Sequence, residues 1–119
     1  MPAGSMAIDC SFANYFINMP SGTYCANRST NRVGSESPKG DGKWGQSDLG
    51  GNVYEWGRDW NAPLSPTCDD CANLTVATSR VHHGGCFGCG EDSLRAADRN
   101  LFPPADRIDL VGVRCARPP

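Results

Sequence analysis

Gly45-Gln-Ser-Asp-Leu-Gly-Gly-Asn-Val-Tyr-Glu-Trp-Gly-Arg-Asp-Trp60 is the stretch on which the reading of this chain turns. It begins polar and Gly-rich and ends in Val53, Tyr54, Trp56 and Trp60, so a flexible loop passes directly into the heaviest apolar cluster. Two of the three Trp and three carboxylates (Asp48, Glu55 and Asp59) fall within it. Two readings follow. The stretch is a turn feeding a core strand, or it is an ion-binding loop whose carbonyls and carboxylates close around a hard cation, which takes several oxygen ligands.

Outward from this stretch the chain is loop-rich. With 119 residues it makes one domain, or part of one, with a modest core. An apolar content of 39% with 14 Gly and 9 Pro argues against a helical bundle. The net charge of -2 gives no electrostatic case for nucleic acid or an anionic membrane surface. Arg outnumbers Lys nine to two, and the Arg residues are dispersed among acids, which favours structural ion pairs over a phosphate-binding stripe. No apolar run approaches the roughly 18 residues of a membrane span. Met1 to Asp9 lacks the basic start and apolar region of a signal peptide. Seven Cys in so short a chain favour disulfides or metal over inert thiols, and an exported or periplasmic setting over a cytoplasmic one.

Residues 1 to 44 read as loop, with a disulfide between Cys10 and Cys25 closing a segment of thin apolar content. Val76 and Arg80-Val-His82 suggest a strand that stops at Gly84-Gly85. Asp92 to Asn100 fits a short helix and a strand equally well. Ile108 to Arg114 alternates as a closing strand. Short strands tied by long loops describe the whole.

Three ordered segments then carry a resemblance: Asp48-Leu-Gly-Gly-Asn-Val-Tyr-Glu-Trp56; Arg80-Val-His-His-Gly-Gly85 with Leu94-Arg-Ala-Ala-Asp-Arg99; and Val111-Gly-Val-Arg-Cys-Ala-Arg117. Together, over residues 45 to 117, they resemble the formylglycine-generating enzyme, or sulfatase-modifying factor, family. The resemblance implies an α+β, mostly irregular, C-type-lectin-like fold with few short antiparallel strands and long loops, as a single domain over residues 1–119. It also implies shortening at the N-terminus, since the family domain is considerably longer. The chain is then a fragment or a short relative whose uncovered face is buried by self-association or a partner protein.

The resemblance assigns calcium ligands to the opening stretch: the Asp48 side chain, the carbonyls of Gly51 and Val53, and Glu55. A second family calcium site falls near Asn14, its carboxylate partner having no clear counterpart. Read without the family, Asp48 and Glu55 equally cap backbone amides or pair with Arg.

Active family members use two Cys to bind copper(I), whose preference for soft thiolates requires them. Cys89 matches the first; Cys86 stands at a family Ser, Gly90 replaces a His, and Glu91 and Asp92 stand near where the second Cys is expected. The oxidase alternative therefore rests on Cys86 and Cys89, since C-x-x-C chelates metal or cycles as a dithiol. A further alternative is a zinc-stapled interaction protein with four Cys ligands: Cys68, Cys71, Cys86 and Cys89. The same thiols also suit a pair of disulfides. Cys115 matches a family Cys that pairs within the missing N-terminal portion, which makes it the odd thiol. Arg95, Arg99 and Arg114 are expected to hold loops by pairing with acids. The leading expectation is a non-catalytic, calcium-stabilised, lectin-like module that binds a peptide or glycan.

Overall fold

A computed structural model describes residues 8–17, 22–63, 67, 69 and 71–115. Two short strands, β1 (Phe16–Ile17) and β2 (Thr23–Tyr24), form an antiparallel pair. The main sheet holds β3 (Tyr54–Trp60), β4 (Arg80–His83), β5 (Asn100–Phe102) and β6 (Val111–Gly112) in the order β5-β4-β3-β6. A single 3-10 turn, Glu91–Leu94, is the helical content of the described residues.

The opening stretch supplies the longest strand. Tyr54, Trp56 and Trp60 are aromatic residues that suit a pleated, half-buried surface, and β3 lies at the centre of the sheet. It pairs antiparallel with β4 through Glu55↔His83, Trp56↔His82 and Trp60↔Arg80, with a register shift between Trp56 and Trp60. β6 lies parallel to β3 through Tyr54↔Val111 and Glu55↔Gly112. The sheet is thus mixed, where the alternation of residues 108 to 114 suggested a longer closing strand.

The loop before β3 is stapled on several sides. The Gly51 N–H donates to the Gly84 carbonyl (2.6 Å), and the Asn52 N–H donates to the Asn14 carbonyl (2.7 Å). Phe87 N–H donates to the Asn52 carbonyl (2.9 Å), and Tyr54 N–H donates to the Leu110 carbonyl (2.7 Å). Three distant segments are therefore joined by one loop, as the pairing of buried backbone groups requires. Around it lies a small core of Ala13, Tyr15, Tyr54, Val81, Cys86 and Phe87. Val33, Trp44, Val76 and Val113 are each more than 70% exposed, so much large apolar surface has no cover from the described residues.

Disulfides join Cys10 to Cys25 and Cys86 to Cys89, and Cys71 is also disulfide-bonded. Cys68 lies outside the described residues. Cys115 is free and exposed. Residues 16–24, read as loop, hold the β1–β2 pair, whose strands of two residues are too short to show a period. Asp92 to Asn100 is neither a full helix nor a strand: the 3-10 turn occupies its start and β5 begins at its end. No helix among the described residues is long and apolar enough to cross a membrane.

Candidate functional site

Asp48, Gly51, Asn52, Val53 and Glu55 line one open hollow of about 240 Å³, together with Val33, Val113 and Arg114. The local backbone explains the convergence. Asp48, Gly51 and Asn52 all have positive φ (55°, 80° and 64°), a conformation open to Gly and tolerated by Asn and Asp. These reversals curl the loop so that both carboxylates and the carbonyl-bearing residues border the same space. Among the described residues, no backbone hydrogen bond of the loop network ends on the carbonyl of Gly51 or Val53. The lining of the hollow thus includes two acids, Asp48 and Glu55, beside Gly51 and Val53.

The carboxylates also have partners within the chain. Asp48 Oδ2 accepts from the Gly34 N–H (2.9 Å). Arg114 Nε donates to both oxygens of Glu55 (2.8 and 2.9 Å), and Arg114 Nη2 lies 2.7 Å from Glu55 Oε1. Nη2 also donates to the carbonyls of Ser47 (2.8 Å) and Asp48 (3.1 Å). The Glu55 carboxylate on its guanidinium pushes the Arg114 pKa up.

Behind the hollow lies a polar cluster that the sequence did not reveal. Asn52 is buried, and its Oδ1 accepts from Asn14 Nδ2 (3.2 Å) and the Asn31 N–H (3.0 Å). Asn31 Nδ2 donates to Glu36, whose buried carboxyl is pushed up first by desolvation and further by Asp48 beside it. Asn14 is 1% exposed; its Nδ2 also reaches the Ser29 carbonyl (3.0 Å), while its Oδ1 has no partner among the described residues. It contacts the cluster through Asn52 and does not line the Asp48–Glu55 hollow. Nothing local marks Glu36, an acid in a polar turn; its signal is purely tertiary.

A second hollow, about 420 Å³, is lined by Leu49, Gly50, Glu55, His83, Gly84, Leu94, Arg95 and Ala96. His83 Nδ1 lies 2.8 Å from the Asp98 carbonyl, which fixes that nitrogen as the protonated one in the neutral ring. His82, on the opposite face of β4, is fully buried, as the alternation of a strand requires. Arg95 pairs with Asp92 (2.7 Å) in solvent.

Cys86 and Cys89, the pair assigned to copper chemistry, are bonded to each other. Cys86 is fully buried and Cys89 half-buried, and the Cys89 carbonyl accepts from the Phe16 N–H (2.9 Å). A copper site on Cys86 and Cys89, or a four-Cys zinc site, needs thiolates that this disulfide removes. No group of three or more metal-binding His, Cys, Asp or Glu side chains occurs among the described residues, so an ion here would depend on carbonyls as well.

The small mixed sheet, the long loops and the oxygen-rich turn feeding β3 define a C-type-lectin-like domain of the kind found in formylglycine-generating enzymes. The chain belongs to the family of the sulfatase-modifying factor enzyme 1-like domain, whose profile matches residues 6–119. It is 37% identical over 95 residues to the formylglycine-generating enzyme of Streptomyces coelicolor, covering 74% of this chain and 29% of that protein. It is 34% identical over 86 residues to the serine/threonine-protein kinase Pkn1 of Chlamydia trachomatis serovar L2, covering 61% of this chain and 13% of that protein. In fold it is similar to Treponema denticola variable protein 1, with a TM-score of 0.69 and 24% identity over 87% of this chain and 34% of that one. The chain thus spans about a third or less of each protein it matches.

Proposed function

We propose that this domain is a non-catalytic binding module stabilised by calcium at the loop before β3. The observation that carries the reading is that Asp48, Gly51, Val53 and Glu55 line one hollow, and that no loop or turn backbone hydrogen bond among the described residues ends on the carbonyl of Gly51 or Val53. Asp48 and Glu55 would hold the ion with their carboxylates, and Gly51 and Val53 with their carbonyls. Calcium then fixes the curl of a loop to which three distant segments are bonded, and so stabilises the fold rather than a reaction.

The non-catalytic part of the reading is supported at the thiols. Cys89 is tied to Cys86, and Gly90, Glu91 and Asp92 stand where the family pattern puts His and leads to a second Cys. A binding role is supported by the second hollow, whose Leu49, Leu94 and Ala96 walls and polar Glu55 and His83 suit part of a peptide or glycan. The exposed Val33, Trp44 and Val113 further support a second copy or partner protein packed against this chain.

Thermal unfolding in chelator and in added calcium tests the ion. At about ten times its dissociation constant, a bound ion adds about 1.4 kcal/mol, a rise of roughly 5 °C in Tm. Glu55→Gln is expected to abolish the rise. A parent protein whose Tm is the same in chelator and calcium would overturn the reading.

A further inference from the structure

We propose that Arg114 is a resident counter-cation that competes with calcium for the loop, so that ion entry and release of the segment after β6 are one event. This inference rests on the calcium reading and adds the competitor to it. The side chain is placed as a cation would be. Its guanidinium holds both oxygens of Glu55 and the carbonyls of Ser47 and Asp48 at 2.7 to 3.1 Å, and it lines the same hollow as the four proposed ligands. The contacts bridge 59 to 67 residues of sequence, so they are tertiary and not an accident of neighbouring positions.

A guanidinium and a hard dication cannot both take the Glu55 oxygens. Bidentate pairing commits the carboxylate, and calcium coordination by Glu55 requires that the pair be broken. The pair is partly exposed, with the Arg114 side chain 36% and the Glu55 side chain 25% accessible, so exchange needs no unfolding of the core. The competition also has a consequence along the chain. β6 is held to β3 only at Val111 and Gly112; beyond them Val113 and Cys115 are exposed, and the Arg114 contacts are the side-chain anchor. Without the ion, the guanidinium fills the charge requirement of the loop and pins this segment. With the ion bound, the segment is released.

Calcium affinity of the parent and of Arg114→Gln, measured by isothermal titration calorimetry, tests the proposal. The variant is expected to bind about five- to tenfold more tightly, because the ion no longer displaces a charge-assisted pair. In chelator, the variant is expected to melt below the parent and to regain the difference on adding calcium. Equal affinities would overturn the competition while leaving calcium binding intact; no binding by either protein would overturn both. Should Arg114→Gln fail to fold, tryptic cleavage after Arg114 in the parent carries the test. It is expected to accelerate in calcium, and an unchanged rate with calcium bound would overturn the proposal.

Discussion

Gly51→Val is expected to destabilise the domain by about 4 kcal/mol, read as a lowered midpoint in urea unfolding. Two effects combine. Gly51 has φ +80°, a region that a β-branched residue enters only under strain. A Cβ at this position would also lie 2.4 Å from the Asn14 carbonyl oxygen and 2.9 Å from the Asn14 nitrogen, both backbone atoms that cannot rotate away. That close approach is the isolated bridge joining the Asn14 segment to the loop, so relief of the clash would separate the segments that the Asn52-to-Asn14 hydrogen bond holds. Gly45 provides the control. It has nearly the same φ, +78°, but a Cβ added there would meet nothing within 4 Å, so Gly45→Ala is expected to cost only the conformational part, about 1 kcal/mol. If Gly51→Ala costs no more than Gly45→Ala, the contact with Asn14 is not what fixes the loop.

Much of the loop was legible because its signals are local. The Gly-rich start, the aromatic strand that follows and the order of acids are all adjacent in sequence, and β3 begins at Tyr54 where the apolar run does. β4 was legible for the same reason: Arg80-Val-His runs into Gly84 and Gly85, both at positive φ, where the strand ends. What lay beyond the sequence is the set of contacts that close the loop. Asn14 and Glu36 reach it from distant segments, and their residue types suit any surface turn; Arg114 was expected to pair with an acid, and only the choice of Glu55 needed the structure. The alternation of residues 108 to 114 overstated β6, because β3 pairs with it only at Tyr54 and Glu55. The region from Asp92 to Asn100 was ambiguous by period alone. Its outcome is set by Leu94, whose side chain would lie 2.8 Å from a Cβ on Gly85 and therefore packs against that glycine, fixing the turn over the Gly84-Gly85 corner.

Of the two readings of Asp48 and Glu55, as ion ligands or as partners of amides and Arg, the structure shows the second: Asp48 accepts from the Gly34 N–H and Glu55 pairs with Arg114. The ion reading is the one proposed above, for the same residues where they line the hollow. These are alternatives for one set of oxygens. In the thiol motif, Cys86 and Cys89 are bonded to each other.

His82→Phe is expected to remove most of the acid sensitivity of the fold below pH 6.5. The imidazole is fully buried, with the Trp56 ring centroid at 3.9 Å and that of Phe102 at 5.0 Å. Neither ring nitrogen has a hydrogen-bond partner among the described residues. Burial pushes its pKa below the ordinary 6.5; the backbone of Arg80 and Asn100 opposes it, and the nearby His83 adds the smallest effect, in the same direction as burial. The sign follows from linkage. Below pH 6.5 the unfolded chain takes a proton that the folded imidazole refuses, so stability present above that pH is lost as pH falls. The loss runs at about 1.4 kcal/mol for each pH unit until the folded ring itself is protonated. Glu36 acts with the opposite sign: its carboxyl is pushed up, so its contribution is fully present below 4.5 and lost as pH rises through its folded value. Above pH 4.5 the two therefore act with opposite signs, and the raw pH curve of the parent does not isolate His82. The difference between parent and variant isolates it. Phenylalanine keeps an aromatic ring between Trp56 and Phe102 and removes two unpaired nitrogens, so at pH 7 the variant is expected to be at least as stable as the parent. Urea midpoints measured from pH 7 to pH 5 should diverge steadily; parallel curves would show that His82 carries no proton-linked stability.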